Sequence, residues 1–220
     1  VEVVKKGNKV KVTKADVIPL KKEADFKLEG SKQIKSLTDK YLAIVEKKAG
    51  LKLIEAEEDF DFVLFQKLYV CSLLDSCPGC DVAMSNPGGF RDSIRKGSVK
   101  KSDIISMLPF NNRIVLTEIN GKNLIHNLKL AEESYCGVQK TEEGWFKNGK
   151  KIDPGKSYRV VVHEYIFGGG DYFKFVDDKS ESEITSRDWR APIEKYLYKS
   201  SKQGKNIMQA CQSLLEKYDR

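Results

Sequence analysis

The stretch from Asp81 to Arg91, DVAMSNPGGFR, constrains this chain more than any other. Asp81–Met84 reads as a short buried strand that runs straight into Asn86-Pro87-Gly88-Gly89-Phe90-Arg91, where two glycines allow a sharp turn and a close approach of backbone to ligand. Small residues that expose backbone N–H groups, an amide at Asn86 and a guanidinium at Arg91 suited to a phosphate fork make the loop a candidate anion site.

Two later stretches carry related chemistry. Leu108-Pro109-Phe110-Asn111-Asn112 sets a ring between a helix and the next strand, and Tyr165-Ile166-Phe167-Gly168-Gly169-Gly170-Asp171 ends a strand with a second ring beside flexible backbone. Two rings facing each other across a slot stack a planar base, and the Asp171 carboxylate can accept from sugar hydroxyls. Each residue also has a local alternative: Phe110 as core after Pro109, Tyr165 filling a sheet edge, Asp171 capping the glycine turn.

The order Asn-x-Gly-Gly-Phe-Arg, Leu-Pro-Phe, Tyr-x-x-Gly-Gly-Gly-Asp-Tyr-Phe resembles the C-terminal substrate-binding domain of the 5'-nucleotidase and UDP-sugar hydrolase family, over roughly Phe60 to Tyr198. The resemblance implies an α+β fold, a mixed sheet with packed helices preceded by a connector helix. Residues 1–55 are then the tail of a preceding domain plus that connector, and 56–220 the substrate-binding domain. It implies that Asn86 and Arg91 lie near substrate phosphates and that Gly88 and Gly89 allow close approach. Phe110 and Tyr165 sandwich the base of a nucleotide or nucleoside, while Gly170 and Asp171 lie on the sugar side.

Hydrolysis of phosphoric monoesters in that family looks like two-metal chemistry, which needs several His, Asp and Asn ligands. His126 and His163 are the chain's two histidines, and neither stands in an Asp-x-His, Asn-His-Asp/Glu or His-x-His setting. No catalytic residue or metal ligand is therefore expected here; two divalent ions, such as Zn or Mn, belong to a metallophosphoesterase domain preceding this chain. The chain departs from the family at Gln66-Lys67-Leu68, where a Gly-Asn-Leu pattern is usual. No arginine between Phe60 and Phe90 offers a second phosphate contact. With Arg95-Lys96 beside the loop, this departure motivates the alternative reading: a non-catalytic interaction or assembly module that kept the fold and has a protein partner.

Lys and Arg number 39 against 32 Asp and Glu, a net +7, scattered along the chain and not gathered into one run. Such a surface draws anionic ligands, and no RNA- or DNA-recognition signature accompanies it, so nucleic acid is not an expected partner. Five cysteines, an odd count, argue against a complete disulfide framework, although an extracellular protein with one spare thiol would look identical. Cys77 and Cys80 have the spacing of a redox pair or half a zinc site, but Pro78-Gly79 reads more simply as a turn; Cys71, Cys136 and Cys211 stand alone in sequence. No stretch approaches a membrane span. The chain opens on Val, which fits a start inside a longer polypeptide, so the lack of a signal-peptide run at its N-terminus leaves the compartment open. The resembled family is often secreted or cell-surface.

Periodicity supplies the remaining elements. We expect a hairpin over Val1–Val12 around Lys6-Gly7-Asn8, a strand at Ala15–Leu20 and a lysine-rich amphipathic helix from a Ser31 cap to Gly50. A strand at Leu51–Glu55 and a buried helix over Phe60–Leu74 follow. A short helix begins at Ser102-Asp103, a strand covers Ile114–Ile119 with a turn at Asn120-Gly121, and the next helix carries His126. A hairpin spans Trp145–Ile152 and a central strand Tyr158–Tyr165, in which His163 is structural. Asp177–Glu183 is a solvated acidic loop, and the last helix packs Ile207, Cys211, Leu214 and Tyr218.

Overall fold

The computed structural model describes residues 2–6, 9–14, 32–175 and 182–218, with side chains from residue 32 onward. Contacts divide the chain into two compact units, Val1–Ala43 and Ile44–Arg220. The first holds an antiparallel hairpin of β1 (Glu2–Lys6) and β2 (Lys9–Lys14) and the start of helix α1 (Lys32–Ala49). The strand expected at Ala15–Leu20 and the Ser31 cap lie outside the described residues. Helix α1 has the expected apolar spacing, yet Ile34, Leu37, Tyr41, Leu42, Ile44 and Val45 are all exposed.

The second unit runs β3 (Lys52–Ala56), α2 (Phe62–Asp75), β4 (Val82–Met84), β5 (Gly97–Lys100), α3 (Lys101–Met107), β6 (Arg113–Asn120) and α4 (Gly121–Ala131). It continues through β7 (Tyr135–Cys136), β8 (Gln139–Thr141), β9 (Gly144–Lys147), β10 (Lys150–Lys151), β11 (Ser157–His163), α5 (Glu164–Phe167), β12 (Ser182–Asp188), α6 (Ala191–Lys202) and α7 (Ile207–Tyr218). Five strands form a mixed sheet in the order β12-β6-β11-β4-β7. The central strand β11 is a nearly continuous apolar run because both faces of the sheet are covered. Val160 and Val162 join Leu124 and Leu128 of α4 in one core, whereas Val161 joins Phe65, Leu68 and Leu73 of α2 in the other.

Strand direction decides where the loops meet. β11 runs parallel to β4 and antiparallel to β6, and β12 is antiparallel to β6 with Asp188 opposite Arg113. The carboxyl ends of β4, β11 and β12 and the amino end of β6 therefore emerge at one edge of the sheet. Residues 85–91, 108–112, 163–171 and 189 issue from that edge, the place where open sheets of this kind leave a crevice.

Several expectations are corrected. β11 stops at His163 and Tyr165 sits on the short helix α5, because Glu164 turns back to bind the Arg113 backbone N–H and guanidinium at the start of β6. Gly121 opens α4 and makes no turn: Asn120 caps the helix, its Oδ1 accepting from the Asn123 N–H at 2.9 Å. Ser182–Asp188 forms the edge strand β12 where the end of a solvated loop was expected, pairing with β6; residues 177–181 of that loop lie outside the described set. Gln66 is buried, and its Oε1 accepts from the Ser134 hydroxyl at 2.6 Å, so it ties α2 to the chain before β7 and does not face outward.

The cysteines are the largest surprise. Cys71 of α2 is disulfide-bonded to Cys136 of β7, and Cys77 to Cys80; Cys211 alone is free, and burial pushes its thiol up to about 12. A spacing rule reads only neighbouring cysteines, and the 65-residue separation of the first pair is closed by the packing of α2 on the edge strand β7. Unreduced chain unfolded in guanidinium should show one reactive thiol in a colorimetric assay and almost none when native. Three or five would refute the pairing.

Candidate nucleotide-binding cleft

At the shared edge lies a cavity of about 340 Å³ lined by Asn86, Gly88, Gly89, Arg91, Phe110, Asn112, His163, Tyr165 and Asp171. It brings together every site residue expected from the sequence except Gly170, and it adds Asn112 and His163.

Pro87–Gly89 is a single 3₁₀ turn after β4. Neither glycine adopts the left-handed backbone that would require one, so the sharp-turn argument for them fails. What Gly89 supplies is room: a Cβ there would stand 3.1 Å from Asn86 Oδ1 and 3.5 Å from the Trp189 ring. The turn also uses its own amides, Gly89 N–H donating to the Asn86 carbonyl and Arg91 N–H to that of Met107. Charge recognition in the cleft therefore falls to the Arg91 guanidinium, which lies over the Phe110 ring with Cζ 5.3 Å from its centroid.

Asn86 is buried and both ends of its amide are engaged, Nδ2 donating to Asp171 Oδ2 at 2.6 Å and Oδ1 facing His163 Nε2 at 3.1 Å. The other Asp171 oxygen accepts from the Tyr165 hydroxyl at 2.9 Å, and that bond to a carboxylate raises the Tyr165 pKa. Asp171 holds φ 52°, a left-handed conformation Asp tolerates through local hydrogen bonding. Gly170 lies behind the cleft wall, where a Cβ would come within 2.6 Å of the Tyr165 ring; only glycine lets that ring lie across the backbone. Helix α4 fixes the segment that follows: Asn127 exchanges two 2.8 Å hydrogen bonds with the Lys174 backbone, and the His126 ring meets the Tyr172 carbonyl.

Under the cleft sits Trp189, fully buried at the end of β12. Its indole N–H donates to the Phe110 carbonyl at 2.8 Å and its ring packs 4.6 Å from that of His163. Arg190 reaches the Leu108 carbonyl and the Asn111 side chain, so Asp188-Trp189-Arg190 clamps the whole Leu108–Asn111 loop. Its one outward signal in the sequence was a Trp beside a charge pair.

His163 is 1 % exposed, and desolvation lowers its pKa from 6.5 to about 3. The sign follows directly. Below pH 6.5 the unfolded chain accepts a proton that the folded imidazole refuses, so this residue lowers stability as pH falls from about 6.5 toward 3. An imidazole whose pKa burial lowers to about 3 is a weak base near pH 7, and Ser85, also buried, is no exposed nucleophile despite lying 3.1 Å from His163 Nε2.

Residues 64–142 match the sequence profile described as 5'-nucleotidase, C-terminal domain. Among curated proteins the chain is 26% identical to Protein UshA of Escherichia coli over 137 residues, 56% of this chain and 25% of that one. It is 30% identical to a 5'-nucleotidase of Vibrio vulnificus over 105 residues, 41% of this chain and 19% of that one. The chain thus spans about a quarter or less of those relatives' length. Among solved structures, a 5'-nucleotidase precursor from Thermus thermophilus superposes with TM-score 0.61 at 22% identity, over 76% of this chain and 39% of that one. A putative 5'-nucleotidase from Staphylococcus aureus gives 0.59 at 14% identity over 84% and 43%. Profile, relatives and fold agree in direction: residues 64–142 match the C-terminal domain of the 5'-nucleotidase family, and the chain is similar to proteins of that family.

Proposed function

We propose that this chain is the nucleotide-binding, substrate-specificity part of a metal-dependent 5'-nucleotidase or nucleotide-sugar hydrolase. The observation that carries the reading is the shared cavity in which Arg91, Phe110, Tyr165 and Asp171 converge from three distant segments. Phe110 and Tyr165 are half-exposed rings suited to a base, with the Asn112 amide beside Phe110 to meet its edge. Arg91 receives phosphate, leaving the face of Phe110 as the base enters. Asp171 takes sugar hydroxyls, with Asn86 holding the carboxylate and not the phosphate.

These groups bind and orient. Among the described residues no cluster of His, Cys, Asp and Glu can hold a metal ion. Two divalent ions, such as Zn or Mn, held by a preceding metallophosphoesterase domain would supply the attacking water. In this reading residues 1–55 are the tail and connector of that domain and 56–220 the specificity domain. Among the described residues no helix is long and apolar enough to cross a membrane, and the two disulfides fit an oxidising compartment.

Calorimetric titration of the 220-residue chain with AMP and with ribose 5-phosphate tests the reading. AMP should bind saturably and ribose 5-phosphate at least about tenfold more weakly, since stacking on the base contributes about 1–3 kcal/mol. Equal affinities would remove the base slot. A second reading, an assembly module, draws on the exposed apolar residues of α1, while the buried Gln66 no longer argues for it. It predicts no AMP binding and a co-purifying protein.

A further inference from the structure

The protonation of the cleft can be deduced from Asp171 inward. A carboxylate only accepts, so the Asn86 atom at 2.6 Å from it is the amide nitrogen, and the amide oxygen is turned toward His163. An oxygen at 3.1 Å from His163 Nε2 requires the ring proton on that nitrogen. The Ser85 oxygen, also at 3.1 Å, then shares that proton as a second acceptor. A neutral imidazole has a single N–H, so Nδ1 is left bare, and it is buried with no hydrogen-bond partner. Burying an unpaired acceptor destabilises a fold, but an apolar ring of the same size would strand the buried Asn86 Oδ1 and Ser85 Oγ that face Nε2. What such a ring lacks is the Nε2 proton. Without it the Asn86 amide is held only through its bond to Asp171 and its oxygen has no donor, so the amide can swing together with the carboxylate and the Tyr165 hydroxyl bonded to it.

We propose that His163 is a positioning residue that orients Asn86 and through it presets Asp171 and Tyr165 for the sugar and base of a nucleotide. The inference rests on the nucleotide reading above and adds a residue that acts through Asn86.

The test uses the 220-residue chain with His163→Phe, His163→Gln and His163→Asn, measuring thermal midpoint and AMP affinity by calorimetry. His163→Phe should bind AMP at least about tenfold more weakly, the loss typical of a misaligned charged hydrogen bond, and should melt no higher than wild type because the buried Asn86 Oδ1 and Ser85 Oγ lose their donor. Glutamine places an amide nitrogen near the Nε2 position and should recover most of the affinity. Asparagine places one near Nδ1 and should not. Wild-type affinity in His163→Phe overturns the inference, as does glutamine binding no better than asparagine, a comparison that decides even if the Phe variant fails to fold. A wild-type chain that binds no AMP overturns the nucleotide reading itself, and this inference with it.

Discussion

Replacing Phe110 and Tyr165 together by alanine should abolish AMP binding while leaving the fold nearly unchanged. Each ring contributes about 1–3 kcal/mol to base stacking, so the pair accounts for about 2–6 kcal/mol, a loss of roughly 30-fold to more than a thousandfold. Stability should change little because the side chains are 41% and 48% exposed and their removal opens no core cavity. The Phe110 loop keeps its place through backbone contacts, since Trp189 and Arg190 bond the carbonyls of Phe110 and Leu108, which alanine retains. The single variants separate two contributions. Phe110→Ala also frees Arg91 from its resting face, whereas Tyr165→Ala strips Asp171 of a donor. AMP affinity of the double variant within threefold of wild type, read by calorimetry, would mean that these rings hold no base.

Removing the Cys71–Cys136 bridge should give the largest stability change. Changing both cysteines to serine should lower the unfolding free energy by about 4 kcal/mol, because a cross-link over long chain separation withholds much conformational entropy from the denatured state. The bridge spans 65 residues, whereas Cys77–Cys80 spans only 3 and should be worth roughly half as much or less. Against a typical unfolding free energy of about 5–15 kcal/mol, losing the long bridge leaves a marginal domain. The bridge joins α2 to β7, and the neighbouring Ser134 carbonyl accepts from the Ser85 N–H at the mouth of the cleft. Guanidinium unfolding followed by circular dichroism measures the change; a midpoint within error of wild type would show that the bridge does not restrain the unfolded chain.

Much of the candidate site was legible because its segments carry local signals. A Gly-Gly turn with Asn86 and Arg91, a proline that exposes Phe110, and a triple glycine before Asp171 can each be recognised within a few residues. The reasons attached to them were less secure. Gly88 and Gly89 have ordinary backbone angles, only Gly89 is short of space, and Gly170 makes room for the Tyr165 ring. Asn86 was expected beside phosphate, but its amide is consumed between Asp171 and His163. Trp189 and His163 were missed because their contacts lie far along the chain: the indole meets Phe110, and the imidazole meets Asn86 across 77 residues.

The amino-acid sequence by itself determined the elements whose cause is local. These are the amphipathic helices, the apolar central strand β11, the Asn148-Gly149 hairpin and the short segments that bear the cleft's chemistry. Only the tertiary structure decided that β4 and β11 run parallel, that α2 is bridged to β7, and that one buried imidazole faces an amide and the amide a carboxylate. Periodicity and propensity act over a few residues, but a hydrogen bond or disulfide between distant segments depends on how strands are ordered in the sheet, and that order minimises the exposed surface of the whole chain at once.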